Sequence, residues 1–183
     1  TSEVRAQKPE IVTWSADQLT LFLTWNRDER EDELFPLWRL IAYTGMRRSE
    51  ALALKWSDLD IENRTLTIAE NRAVVRRELV EYGSQTRTIA LTPEVIDLLI
   101  REHDKHPSSP LMFMHPATLK PYSPQMVRRM HDEIIKEAGL DHIRFTDLRH
   151  TCAVLSLHVS AARSRRWIAP PAHTIRKHPH ATP

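Results

Sequence analysis

Apolar residues recur along most of this chain at intervals of three and four, the period of helices that bury one face. Ser15 with Gln18 three residues later reads as a capping box opening a helix whose apolar face carries Leu19, Phe22 and Leu23. A charged run, Asn26 to Glu33, separates it from a second helix in which Leu34, Leu37, Trp38 and Ile41 keep helical spacing and Gly45 is the stop. A third, short helix is predicted from about Arg48 to Leu54. The pattern then changes to β-rich runs over Arg64 to Ala69, around Ala73 to Val80, and Arg87 to Leu91, with Gly83 near the turn. Helical spacing returns after Thr92 with Pro93, where Val95, Leu98 and Leu99 are predicted to be buried. It recurs after Ser123 with Pro124, where Val127, Met130, Ile134 and Ile135 form the apolar face and Gly139 ends the helix. A last helix is predicted to open at Thr146 or Asp147, with Thr146 as its cap, and to bury Leu148, Cys152 and Leu155.

Helices, a small antiparallel sheet, then helices again predict a mainly α, α+β domain. Residues 1–10 read as a linker and 11–157 as the folded domain. From His158 to Pro183 there are four of the twelve prolines, no acidic residue and no sustained apolar period, so this stretch is expected to be a poorly ordered basic, Pro- and His-rich tail. A chain of 183 residues is long enough for one domain with a real core. Its single Cys152 excludes an internal disulfide and points to a reducing, cytoplasmic setting. The most apolar windows, such as Leu19 to Trp25, are far shorter than the roughly 20 residues of a membrane-spanning helix.

The formal net charge of +2 does not by itself indicate a nucleic-acid partner. Five of the 26 basic residues and none of the 24 acidic ones lie beyond residue 157, which leaves 21 basic against 24 acidic in the body. Any contact with DNA must come from local clustering.

Two short segments supply such clusters: Thr44 to Glu50 (TGMRRSE) at a helix junction, and Phe145 to Thr151 (FTDLRHT) at a helix start about a hundred residues later. Each sets an arginine in a first helical turn, where a guanidinium is stiffly held. Two guanidiniums converging on one phosphate would clamp its non-bridging oxygens with forked hydrogen bonds. Phosphoryl transfer requires such a device, because negative charge grows as a fifth oxygen approaches phosphorus. Taken singly, an arginine near a helix start is most often structural, paired with a carboxylate such as Glu50.

Together with the strands between them and the surrounding LWRLIAYTGMRRSEALALKWSDLD, the two segments resemble the catalytic domain of the tyrosine recombinases, the phage-integrase family. The resemblance covers roughly Ile11 to Leu157 and is sharpest at Tyr43 to Trp56 and at Gly139 to Thr151. It implies a helical catalytic domain with a small antiparallel sheet, acting in site-specific DNA recombination. By match to the family motifs, Arg47 is the first catalytic arginine, Glu50 the acid supporting it, Arg149 the second arginine and His150 the histidine that follows it. In that family a tyrosine hydroxyl attacks a DNA phosphodiester, leaving a 3′-phosphotyrosine and a free 5′-hydroxyl, with no metal or other cofactor. The implied partner is double-stranded DNA. The parent would work as a homotetramer on paired sites, and this fragment would be a monomer. The family's separate N-terminal core-binding domain is expected to be missing, since only about ten residues precede the first matched helix.

Three departures bear on activity. The histidine expected three residues before the second arginine is Thr146, the general-acid lysine expected before Arg87 is replaced near Glu81, and no tyrosine follows Arg149, the three being Tyr43, Tyr82 and Tyr122. Loss of the nucleophile removes the covalent route, and a frameshift or truncation of the parent gene near codon 157 is the expected cause. Arg128, Arg129 and His131, on the helix after Ser123, are candidate DNA contacts, as are Arg72, Arg76 and Arg77 on the strands. The bland reading of each is a solvated surface charge. His173, His178 and His180 lack partners at metal-ligand spacing, so no metal site is assigned. Trp38, Trp56 and Cys152 are expected in the core. Two alternatives to an active recombinase stay open: a non-catalytic DNA-binding remnant, and a helical protein-interaction module favoured by the acidic body.

Overall fold

A computed structural model describes residues 11–69, 72–75, 77–81 and 86–165 of the chain, the side chains of 72, 81 and 156–165 excepted. The first helix, α1 (Ala16–Thr24), opens as the Ser15 and Gln18 pair predicts, the Ser15 hydroxyl accepting from the Gln18 N–H at 3.2 Å and the Gln18 amide oxygen from the Ser15 N–H at 3.0 Å. It continues through a π-helical turn, Trp25–Glu29, closed by the Arg30 N–H on the Trp25 carbonyl. Helix α2 (Phe35–Thr44) buries Pro36, Leu37, Trp38, Leu40, Ile41 and Ala42. A helix apolar nearly all round belongs at the centre, and α2 packs on α1, α3 (Arg48–Leu52), α4 (Pro93–Lys105) and α6 (Phe145–Arg165).

The strands are β1 (Leu59–Asp60), β2 (Thr65–Ala69), β3 (Arg72–Val75), β4 (Glu78–Glu81), β5 (Thr86–Ala90), β6 (Met114–His115) and β7 (Lys120–Pro121). The β-rich runs between α3 and α4 do not form one sheet. β2 pairs directly with β5, Leu66 opposite Ile89 and Ile68 opposite Arg87, with β1 on the other edge of β2. The middle run doubles back as its own hairpin, β3 with β4, and packs on α3. Leu66 and Ile68 join the core cluster and fasten β2 to it, whereas β3 contributes Val74 alone among its described side chains. A third small ribbon pairs β6 with β7.

Ser123 caps α5 (Pro124–Glu137) through its hydroxyl, 3.1 Å from the Met126 N–H, and Val127, Ile134 and Ile135 are buried as their spacing predicts. On α4 the buried residues are Val95, Ile96 and Leu99, so Ile96 takes the interior place expected of Leu98. Trp38 is fully buried, while Trp56 is half-buried with its ring edge on His103, 4.8 Å between centroids. Helix α6 opens one residue before Thr146 and runs through Arg165, past the boundary expected at Leu157. The linker expected over residues 1–10, residues 166–183 of the expected tail, and Gly83 lie outside the described residues.

Candidate phosphate-binding cleft

The first arginine is placed by the way α2 stops. Gly45 takes a left-handed conformation, φ 62°, with its N–H on the Ile41 carbonyl at 2.9 Å, and turns the chain into α3. Arg47 stands extended as the cap of that helix, and Glu50 reaches back to it. One carboxylate oxygen accepts from the Arg47 N–H at 2.8 Å and the other from the Arg47 guanidinium at 2.8 Å. Arg87, brought alongside by its register position on β5, grips the same carboxylate at 2.7 and 3.3 Å. Burial alone would raise the Glu50 carboxyl. The hydrogen bonds from Arg87 and from the Arg47 backbone and side chain outweigh it and hold the group below the usual carboxylate range. The Glu50 side chain is 1% exposed and that of Arg47 57%, so the acid is anchored inside and the cation meets solvent.

The second arginine is placed by the start of α6. Capping there falls to Asp147, not to Thr146: the buried Asp147 carboxylate accepts from the Arg144 N–H at 3.3 Å and from its guanidinium at 2.7 and 2.9 Å. The Arg144 guanidinium holds Asp147 well below its ordinary range. Thr146 is exposed within the first turn, because the helix begins at Phe145 and an acid two residues further on reaches the free N–H. Gly45 lies against this turn. A Cβ built there would stand 3.7 Å from the Arg149 carbonyl oxygen and 3.9 Å from the Cys152 Cβ, and the Cys152 thiol donates to the Ala42 carbonyl. Burial raises the Cys152 thiol, which is inert packing between α2 and α6.

This contact brings the two motifs together. Arg47 and Arg149 line one cleft of about 740 Å³, along with Arg48, Arg128, Arg144, Thr146, His142 and Asp132. Five arginines therefore face one carboxylate among the described lining residues. Arg47 and Arg144 each have a buried acid behind them, whereas Arg149 has no ion pair among the described residues. Arg48, Arg144, His142 and Asp132 were not singled out from sequence. The doubled arginine at 47 and 48 is the one signal that pointed there.

The remaining sequence candidates fall elsewhere or divide. His150 is exposed and outside the cleft lining. Arg128 lines the cleft, but its neighbour Arg129 does not and pairs loosely with Glu133 at 3.6 Å. Arg77 is exposed and apart from the cleft. The Arg72 side chain, all of Arg76, the Glu81 side chain and the tail histidines His173, His178 and His180 lie outside the described residues. Among the described residues no group of three or more His, Cys, Asp or Glu could hold a metal ion, and no helix is long and apolar enough to cross a membrane.

His131 is corrected outright: it is 0% exposed and cannot touch DNA. Its ring sits among Phe145, Phe22, Trp38 and Trp14, with centroids 5.1, 5.8, 6.3 and 6.4 Å away. The reason is periodicity, since Val127, His131, Ile134 and Ile135 form one stripe on α5 while Arg128 and Arg129 lie off it. Nδ1 is 3.2 Å from the Asp132 carboxylate, which can only accept, so the neutral ring carries its proton there. Burial pushes the imidazole down to about 4, with Asp132 opposing. An unfolded histidine titrates near 6.5, so below that pH the unfolded chain binds a proton the native chain refuses. Stability is therefore fully present above about pH 6.5 and is expected to fall by about 3 kcal/mol as pH drops toward 4. Urea unfolding at pH 7, 6 and 5 would read this, and His131→Leu should flatten the slope between 7 and 5. A variant retaining the full slope would show that other groups cause it.

This helical arrangement with its small antiparallel sheets is the fold of tyrosine recombinase catalytic domains. The phage integrase family profile matches residues 16–157, and the chain belongs to that family. The "defective protein IntQ" of Escherichia coli (strain K12) is 29% identical over 159 residues, covering 72% of this chain and 40% of that protein. Among solved structures, the Tn1549 transposon integrase in complex with a circular intermediate DNA superimposes with a TM-score of 0.71 at 18% identity, over 85% of this chain and 56% of the integrase. XerA recombinase gives 0.67 at 21% identity, over 85% of this chain and 53% of XerA. The chain thus spans about half the length of these proteins or less.

Proposed function

We propose that this chain is the arginine-bearing part of a site-specific recombinase catalytic domain, that it grips a phosphate of double-stranded DNA in the cleft between α3, α5 and α6, and that its 183 residues form no phosphotyrosine bond themselves. The observation that carries the reading is the convergence of Arg47 and Arg149, remote in sequence, on one cleft. There Arg47, backed by Glu50, and Arg149, with no acid of its own among the described residues, would fork onto the non-bridging oxygens of a phosphodiester. Arg47, Arg149 and Thr146 face the reacting group. Glu50 and Arg87 act behind Arg47 as positioning residues, and no role in the cleft is supported for His150.

The nucleophile is the missing part. Tyr122 is buried, its hydroxyl raised by burial and by Glu33, Tyr43 lies outside the cleft lining, and the sequence holds no tyrosine beyond Tyr122. The family match ends at residue 157, and four of the twelve prolines and no acidic residue lie beyond it, which supports a reading frame or gene altered from that point. IntQ's description as defective and the DNA bound to the Tn1549 integrase agree with a DNA-binding remnant of a recombinase. The same convergence favours that reading over a protein-interaction module, which has no use for paired arginines.

Two measurements test it. Fluorescence anisotropy with a short duplex at low salt should show Arg47→Ala with Arg149→Ala weakening binding on the order of a hundredfold, since each charge-assisted contact contributes roughly a factor of ten or more. Unchanged affinity in the folded double variant would overturn phosphate binding at this cleft. Incubation with nicked duplexes should give no denaturation-resistant protein–DNA band. A band mapping to any tyrosine of the chain would overturn the claim that the nucleophile is absent.

A further inference from the structure

Arg48 stands apart from the arginines beside it. Arg47 has Glu50 and Arg144 has Asp147, yet Arg48, half-buried at the first turn of α3, has no carboxylate partner among the described residues. Its guanidinium lies over the face of the Phe145 ring, 5.4 Å from the guanidinium carbon to the centroid. Burial, and after it the like charge of Arg128, depress its pKa. A guanidinium keeps its charge at any ordinary pH, so burying it without an anion is unfavourable. Arg128 approaches from α5 and is only loosely paired. Its side chain is 72% exposed and lies 3.8 Å from the Asp132 carboxylate. His131 at 3.2 Å and His142 at 3.7 Å both meet the Oδ1 of that carboxylate, and Arg128 stands 3.8 Å from its Oδ2, beyond hydrogen-bond reach.

Two repelling guanidiniums, one half-buried and one free to swing, make an anion seat when something negative separates them. Both line the cleft that holds Arg47 and Arg149. Its volume of about 740 Å³ falls in the range that holds a drug-sized ligand, far more than a lone phosphate fills.

We infer that Arg48 and Arg128 form a second phosphate seat in this cleft, which takes another backbone phosphate of the same duplex that Arg47 and Arg149 hold. The inference rests on the phosphate-binding reading above and adds to it a strand footprint in place of a single anchored phosphate. Because backbone phosphates carry no base identity, this seat contributes affinity and register and no sequence preference. Phe145 sets the seat's position, being both the platform under Arg48 and the first residue of the helix that carries Arg149.

The test is the salt dependence of duplex binding by the full chain, followed by anisotropy with two oligonucleotides of unrelated sequence. Each neutralised phosphate adds about 0.9 to the slope of log affinity against log salt. Arg48→Gln with Arg128→Gln should lower the slope by about 0.9 on both duplexes. Arg128→Gln alone, at an exposed site that leaves the Phe145 contact intact, should lower it by part of that amount and covers the case in which the double variant fails to fold. If the slope is unchanged in Arg128→Gln and in any folded double variant, while Arg47→Ala with Arg149→Ala still lowers it, the second seat does not exist and the single-phosphate reading stands. If neither pair moves the slope, both readings fail together.

Discussion

Replacing Trp38 with alanine is expected to lower the free energy of unfolding by about 4 kcal/mol, the cost of deleting a fully buried indole that its surroundings cannot refill. Trp38 lies at the middle of α2, edge-on to Phe22 at 6.0 Å and tilted against Phe145 at 6.0 Å and His131 at 6.3 Å. Its Nε1 donates to Asp32 at 3.3 Å, so truncation also removes one hydrogen bond from a carboxylate that is 3% exposed and stays held by the Leu34 N–H at 2.8 Å and by Arg30 at 3.7 Å. These contacts tie α1, α5 and the first turn of α6 to the central helix. The loss should therefore reach Arg149 through Phe145, and urea unfolding of Trp38→Ala should show a midpoint shifted well below that of the parent. A shift equivalent to under about 1 kcal/mol would mean that the aromatic cluster collapses into the gap, and that α6 is held by other contacts.

Glu50→Ala is the second large effect, roughly 3 kcal/mol, because a carboxylate buried beneath two guanidiniums is removed from both at once. The figure is set below the upper end for buried pairs because Arg47 and Arg87 are partly exposed and regain water when the acid is gone. The Arg47 N–H loses its acceptor as well, which frees the first turn of α3. A double-mutant cycle with Arg87→Ala isolates the shared part: the two costs should overlap by at least about 1 kcal/mol. Strict additivity would show that Arg87 and Glu50 act independently, and that Arg87 does not position Arg47 through the acid.

Much of the fold could be read one helix at a time. Ser15 with Gln18, Ser123 with Pro124 and Gly45 mark helix ends through groups within a few residues of each other, and each end lies where its chemistry put it. Where structure and sequence differ, the cause is a contact that local chemistry does not name. Polarity groups His131 with Arg128 and Arg129, whereas its spacing from Val127, Ile134 and Ile135 sets it on the buried stripe. Thr146 has the chemistry of a cap, but Asp147 holds Arg144 in a tighter one. Strand propensity names no partner for the middle β run, and its pairing depends on which residues reach the core.

Helix boundaries, the apolar stripes and the two arginine motifs follow from residues at most a turn or two apart, where sterics and hydrogen-bond chemistry act without the rest of the chain. The meeting of Arg47 with Arg149, the sharing of Glu50 by Arg47 and Arg87, and the unaccompanied charge of Arg48 against Arg128 belong to packing alone. They depend on α2 turning at Gly45 against the first turn of α6, a contact between surfaces about a hundred residues apart that close only when the whole core excludes water.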